Sequence, residues 1–315
     1  MHDVVNLPPI ITYQESSSMK GSLCDCIQKI WISNYHNLLL LVLFPQLFKC
    51  LILGQNGVEM ILGGEFQRNL LHSLKVLTLC FHIECDEFPE YRFLQQLPNV
   101  KKLVVYNSSF KVIFCLQQPD NNEHLLQIKE LRLESLQELV SIGLENSWTE
   151  SFVRNLETFE VINCSSLENL VTCRVFFSNL TCLKVQWCRS LSYLFTSSTA
   201  RSLNQLQRME IKECESIKEI VAKEESDEDE IIFPQLSCLN LYYLRRIKRF
   251  YRGSLSFPLL EELSIAYCHK MVTLCAGTLE APKLSQVTIN EEEDIPLKTD
   301  VNSTILVEFV KEVCI

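Results

Sequence analysis

LTCLKVQWCRSLSYL (180–194) and LQRMEIKECESIKEI (206–220) are written on one template. The first places Leu180, Leu183, Val185, Cys188, Leu191 and Leu194 where the second places Leu206, Met209, Ile211, Cys214, Ile217 and Ile220. In the pairs Leu183/Val185 and Met209/Ile211, apolar residues two apart point to one face of a short strand, and the residue between them points to the other. After the cysteine the apolar spacing becomes three, which suits a 3₁₀ or short helical turn rather than a strand. Each copy therefore predicts a strand, a corner and a loose outer segment. Such a coil cannot bury its apolar face alone, so it must stack on its neighbours.

Further copies bear this out. Leu156, Phe159, Val161, Cys164, Leu167 and Leu170 form one, and Leu260, Leu263, Ile265, Cys268 and Met271 another. Copies starting at Ile128 and Leu236 carry Leu136 and Leu244 at the cysteine position, and weaker ones start at Ile27, Leu47, Leu74, Val100 and Leu284. These eleven starts lie 20 to 30 residues apart, the period of a leucine-rich repeat. The pieces FPQL (44–47 and 233–236), LPNV (97–100), FPLL (257–260) and APKL (281–284) place a proline before the strand. There its fixed φ turns the outer segment into the sheet and its missing N–H costs little. The expected fold is an α/β repeat solenoid: a leucine-rich-repeat horseshoe with a parallel concave sheet of about 11 short strands. Its convex side is expected to be irregular, 3₁₀ or short helix.

Cysteine at the corner has a packing role, being small and having a weak S–H donor that reaches carbonyls of the turn. Cys164, Cys188, Cys214 and Cys268 are therefore read as core residues. The chain has 15 cysteines, an odd number in a long chain whose start, MHDVVNLPPI, does not resemble a secretory signal. Free thiols and a cytoplasmic setting are expected. The apolar run LLLLVLF (38–44) stops at Pro45, far short of the roughly 20 residues a span needs, so no membrane span is predicted. The formal net charge of −10 argues against nucleic acid as a partner.

No phosphate-binding glycine motif, nucleophile elbow or H-E-x-x-H appears, so no catalytic residue, cofactor or small-molecule ligand is assigned. Cys80, His82 and Cys85 lack a second ligand pair, and His82 falls at the corner position, so no metal is assigned either. What remains is surface. Residues between and after the inward apolar pair are expected to project from the concave sheet. The candidate protein-binding residues are Trp31, Tyr106, Arg132, Lys184, Trp187, Arg208, Lys212, Tyr242, Tyr243 and Tyr267. Tyr, Trp and Arg are the types that carry binding energy at protein interfaces. The runs EESDEDE (224–230) and RRIKRFYR (245–252) read as solvated, with Ile247 and Phe250 keeping the core register.

Residues 1–26 match the repeat poorly and are read as an irregular segment or incomplete first repeat; the array is read as 27–292. Over 293–315, Ile305, Phe309 and Val313 recur every four residues with Leu306 and Val310 beside them. That pattern predicts a capping helix, with Asn302 or Ser303 at its start.

From about 176 to 290 the succession SLSYLFTSSTARSLNQLQRMEIKECESIKEIVAKE, IIFPQLSCLNLYYL, RFYRGSLSFPLLEELSIAYCHKM and APKLSQVTI resembles the C-terminal repeats of plant nucleotide-binding leucine-rich-repeat disease resistance proteins of the coiled-coil class. The resemblance implies an intracellular defence role: recognising pathogen effectors or guarded host proteins, or regulating a nucleotide-binding switch domain. The switch domain and its phosphate loop are not in this sequence, so binding of ADP or ATP is not expected, and a truncated receptor fragment or a decoy fits as well. An adaptor of an F-box-like ubiquitin ligase, which also uses cysteine-bearing repeats, is the alternative; it would need an N-terminal F-box, for which residues 1–26 are too short.

Overall fold

The computed structural model describes residues 29–32, 50–65, 68–81, 88–89, 91–114, 127–144, 149–171, 175–224, 230–290, 295–297 and 300–313. The readings made for residues 1–26, the run 38–44, His82, Cys85 and most of EESDEDE lie outside these. Each of the eleven repeat starts is followed by a strand. These are β1 (Lys29–Ile32), β2 (Cys50–Leu53), β3 (Val76–Leu79), β4 (Lys102–Tyr106), β5 (Glu130–Glu134), β6 (Thr158–Ile162) and β7 (Cys182–Gln186) in the first part. After the short outer strand β8 (Phe195–Thr196) come β9 (Arg208–Lys212), β10 (Val221–Ala222), β11 (Glu230–Ile232), β12 (Cys238–Tyr242) and β13 (Ser254–Ser256). The series closes with β14 (Glu262–Ala266), β15 (Leu279–Glu280), β16 (Gln286–Ile289) and β17 (Ile295–Pro296).

The large sheet runs β1-β2-β3-β4-β5-β6-β7-β9-β12-β14-β16, all parallel, with β17 added antiparallel at the end. Its register follows the repeat template. Leu131, Phe159, Leu183, Met209, Leu239 and Leu263 are Cα partners along one row, and Leu133, Val161, Val185, Ile211, Leu241 and Ile265 along another. Both rows are buried and belong to one continuous core. A parallel neighbour in every coil is what a repeat with its strand at a fixed place must produce.

The prolines do what their position predicts. The Leu236 N–H donates to Phe233 O (3.3 Å), Leu260 to Phe257 (3.3 Å), Leu284 to Ala281 (3.1 Å) and Val100 to Leu97 (3.2 Å). Pro234, Pro258, Pro282 and Pro98 are thus the second residues of turns that lead into the strands, the place where φ near −65° suits a type I or II turn. Phe233 and Phe257 stack beneath, with centroids 5.5 Å apart.

The cysteine corner also holds. Sγ of Cys164, Cys188, Cys214 and Cys268 points to the carbonyl two residues back (3.6, 3.3, 3.4 and 3.4 Å) and to a strand carbonyl of the preceding coil (3.9, 3.7, 3.9 and 3.6 Å). Ser108 takes this position after β4, donating to Tyr106 O (2.9 Å) and accepting from the Phe81 N–H (2.9 Å). Every described cysteine is a free thiol. Burial pushes the Cys268 thiol up to about 12. A hydrogen bond with the Cys188 sulfur, together with burial, raises Cys164 and Cys214. Cys164, Cys214 and Cys268 stay neutral, and all four thiols serve packing.

The outer side carries the expected short helices in one half and differs from the expectation in the other. Helices Gln55–Leu62, Arg68–Ser73, Tyr91–Gln95 and Glu150–Asn155 occupy it in the first half. In the second half extended pieces pair in parallel: β8 with β10, and β13 with β11 on one side and β15 on the other. The cause is position within the repeat. Ile231, Leu255 and Leu279 each lie five residues before the starts Leu236, Leu260 and Leu284, and Phe195 and Val221 each lie 15 after Leu180 and Leu206, so the outer segments stay in phase.

Helix Val301–Val313 lies over the last coil, with Val301 and Ile305 buried. Its start differs from the expectation. Asp300 is the cap: its carboxylate accepts from the Ser303 N–H (3.0 Å) and from the Ser303 hydroxyl. Asn302 instead ties the helix to the preceding coil, its Oδ1 accepting from the Leu274 N–H (2.9 Å). Leu306 is exposed, so the buried face runs through Val301, Thr304 and Ile305. The side chains of Phe309, Val310 and Val313 lie outside the described residues.

Asp300→Ala is expected to cost about 1 kcal/mol, the usual worth of an acidic cap. The bonds from Ser303 hold the Asp300 carboxyl below its ordinary value, so this contribution is present at neutral pH and lost as pH falls through the lowered folded value. Urea unfolding at pH 7 and in acid checks it: the gap between wild type and variant should shrink in acid.

Candidate protein-recognition surface

Between the two buried rows, one residue per strand faces the concave side. From β5 to β9 this row reads Arg132, Glu160, Lys184, Glu210, alternating in charge across neighbouring strands. Arg132 Nη1 meets Glu160 Oε2 at 2.9 Å and Nη2 meets Glu134 Oε2 at 2.7 Å. Lys184 Nζ lies 3.7 Å from Glu210, to which Gln186 also donates. Burial works against the Arg132 charge, but hydrogen bonds and charges from Glu134 and then Glu160 outweigh it and hold the guanidinium above its ordinary value. Pairs this exposed contribute less than about 1 kcal/mol each. Their main effect is to engage Arg132 and Lys184 within the sheet. Past β9 the row turns neutral, as Asn240, Ser264 and Thr288.

The remaining sequence candidates divide into groups. The side chain of Trp31, in β1, lies outside the description; its backbone pairs with Ile52. Tyr106 ends β4 and is exposed. Arg208 is exposed in a row between Cys182 and Cys238. Lys212 and Tyr242 end β9 and β12 and are Cα partners.

Trp187, Tyr243 and Tyr267, expected on the concave sheet, lie one residue past the ends of β7, β12 and β14. Their backbones are left-handed, with φ of 54°, 55° and 56°. The same conformation recurs at Asn107, Ser135, Asn163 and Glu213. It aims the corner residue's N–H at the next coil: Asn163 donates to Gln186 O (2.8 Å), Trp187 to Lys212 O, Glu213 to Tyr242 O and Tyr243 to Ala266 O (each 2.9 Å). Asparagine tolerates this region; for bulky side chains it costs on the order of 1–2 kcal/mol. The corner therefore moves the three aromatics from the sheet floor to its rim. Tyr243 and Tyr267 stack there, with centroids 4.4 Å apart and planes 13° from parallel, and Lys212 Nζ sits 5.8 Å from the Tyr243 ring centre. Bulky residues held in a costly conformation are a mark of functional positions.

On these repeats the comparison with known proteins is decisive. A family described as plant disease resistance protein RPS2-like, leucine-rich repeats, matches residues 46–176 and 172–291. The chain belongs to this family. No curated protein matches the chain. The match covers most of the chain, and the leucine-rich-repeat fold is seen independently in strand, corner and turn. No helix among the described residues is long and apolar enough to cross a membrane.

RRIKRFYR, expected to be a solvated face, is divided. Ile247 and Phe250 are buried as expected. Arg252 Nε donates to both carboxylate oxygens of Glu219 (2.7 and 2.9 Å), and Arg249 Nε lies 3.7 Å from the same group. Arg245, Arg246 and Lys248 remain exposed. Sequence reasoning missed that Arg245 follows a corner tyrosine by two residues, as His269 follows Tyr267. The signal was the repeat register itself.

Glu213→Asn is expected to raise stability by about 1 kcal/mol, because it relieves a left-handed glutamate at a half-exposed position. Equilibrium urea unfolding checks this through a higher midpoint at unchanged slope.

Proposed function

We propose that this leucine-rich-repeat chain is a protein-recognition module of plant innate immunity, acting in the cytoplasm. It senses a pathogen effector or a guarded host protein, or regulates a nucleotide-binding switch domain carried elsewhere. One observation carries the reading: aromatic side chains stand at left-handed corners along one rim of a parallel sheet in a chain of this family. A corner that only had to turn would be better served by Asn or Gly. Keeping exposed Trp187 and half-buried Tyr243 and Tyr267 there sacrifices stability for aromatic area at the surface, the kind that anchors protein interfaces.

The ion-pair row supports a division of labour. Arg132 and Lys184 already have carboxylate partners on neighbouring strands. They set the polarity of the floor, while the rim aromatics supply the desolvated contacts.

The test uses a protein partner purified by affinity capture on the chain and then measured alone against it by calorimetry. Trp187→Asn with Tyr242→Ala is expected to weaken binding more than about tenfold, since Asn is already the corner residue at Asn107 and Asn163 and the fold should survive. Unchanged affinity in that variant contradicts the proposed surface.

A further inference from the structure

Corner and post-corner residues form a two-column pattern along the rim. In successive coils the corner residue and the residue two positions on read Trp187/Arg189, Glu213/Glu215, Tyr243/Arg245 and Tyr267/His269. Three of the four pair an aromatic with a basic or imidazole side chain. The two at β12 and β14 are adjacent: Tyr243 stacks on Tyr267, and the His269 ring stands edge-on to Tyr267 at 6.4 Å. The next position adds Arg246 and Lys270. Arg245, Arg246 and Lys270 are exposed, and none joins an ion pair among the described residues. Acidic groups of these coils stand at the other end of the strands, at Glu261 and Glu262, where Glu261 is paired with Lys283, and on the outer side at Glu280; in the sequence Glu291, Glu292, Glu293 and Asp294 follow the next corner, Asn290. Glu213 and Glu215 bound the patch on its β9 side.

We propose that this patch, built on Tyr243, Tyr267, Arg245, Arg246 and Lys270, is a docking site for a short acidic segment of a partner protein. The proposal rests on the recognition role above and deepens it by naming the chemistry recognised. Charge complementarity selects the occupant. In a chain of net charge −10, a cluster of three unpaired cations beside two stacked rings attracts carboxylates locally, while the rest of the surface repels a long polyanion. Coils are spaced about 4.8 Å apart, so two of them span about three residues of extended peptide. Carboxylates of such a segment meet Arg245, Arg246 and Lys270, the arginines offering a planar fork of donors. Its apolar or aromatic side chains lie against the tyrosine stack. Glu213 and Glu215 set the register by rejecting acidic residues at that end. The same negative flank and net charge disfavour nucleic acid, which would also stack on tyrosine.

Fluorescence anisotropy on the full chain tests this with three labelled probes: a ten-residue peptide of Glu and Asp containing two Tyr, the same peptide with Lys for every acid, and a ten-nucleotide oligothymidylate. The acidic peptide is expected to bind best, and to weaken about fivefold or more as salt rises from about 50 to about 200 mM. Arg245→Glu with Lys270→Glu should weaken it about tenfold or more, and Tyr243→Asn with Tyr267→Asn should do so independently, whereas Arg189→Glu, beyond the acidic pair, should leave it unchanged. Tighter binding of the oligothymidylate overturns the proposal in favour of a nucleic-acid surface. No binding of the acidic peptide, or indifference to the charge reversal, also overturns it. The two proposals fail separately. A captured protein partner that loses affinity with Trp187→Asn and Tyr242→Ala but not with Arg245→Glu and Lys270→Glu leaves recognition standing and removes the acidic site.

Discussion

The corner after each strand is the constraint on which the rest of this molecule depends. A residue in the left-handed region ends the strand and sends its N–H to the next coil, and the following side chain turns inward against two carbonyls. Where that side chain is a thiol or the Ser108 hydroxyl, it offers a donor in a buried place. Where it is Leu136 or Leu244, apolar packing fills the corner instead. Everything else follows from repeating this unit: the parallel register, the unbroken apolar core and the alignment of surface residues into rows.

Rows are what convert a repeat into a surface. Because equivalent residues lie on neighbouring strands, a charge at one position meets the charge at the same position of the next coil, and the Arg132–Glu160 and Lys184–Glu210 pairs are the result. That row is largely satisfied within the protein. The rim is different. Its aromatics pay for their place in backbone strain, and the cations at Arg245, Arg246 and Lys270 have no carboxylate among the described residues. In the recognition role we propose, the floor supplies polarity and the rim supplies contact.

Much of this was legible in the residues. The strand, corner and turn recur at fixed spacing, so the eleven strand positions, the inward thiols and the turn prolines could be read directly, because each is dictated by local physics. Three features could not. Outer strands such as Glu230–Ile232 with Ser254–Ser256 depend on neighbouring coils placing their outer segments at the same distance from the next strand. The helix cap at Asp300 depends on which of several capping residues, among them Asn302 and Ser303, meets a free N–H. The shift of Trp187, Tyr243 and Tyr267 from floor to rim depends on a sign of φ that side-chain type argues against, since tryptophan and tyrosine rarely take it.

The central claim is a single spine of stacked coils sealed by buried corner thiols. The most direct measurement is alkylation of native protein by iodoacetamide, read cysteine by cysteine by mass spectrometry across a urea series. Cys164, Cys188, Cys214 and Cys268 should stay unlabelled until the main unfolding transition and then react together, while the half-exposed Cys182 reacts early. Labelling of those four in native buffer as fast as Cys182, or at widely separated urea concentrations, would contradict a continuous spine.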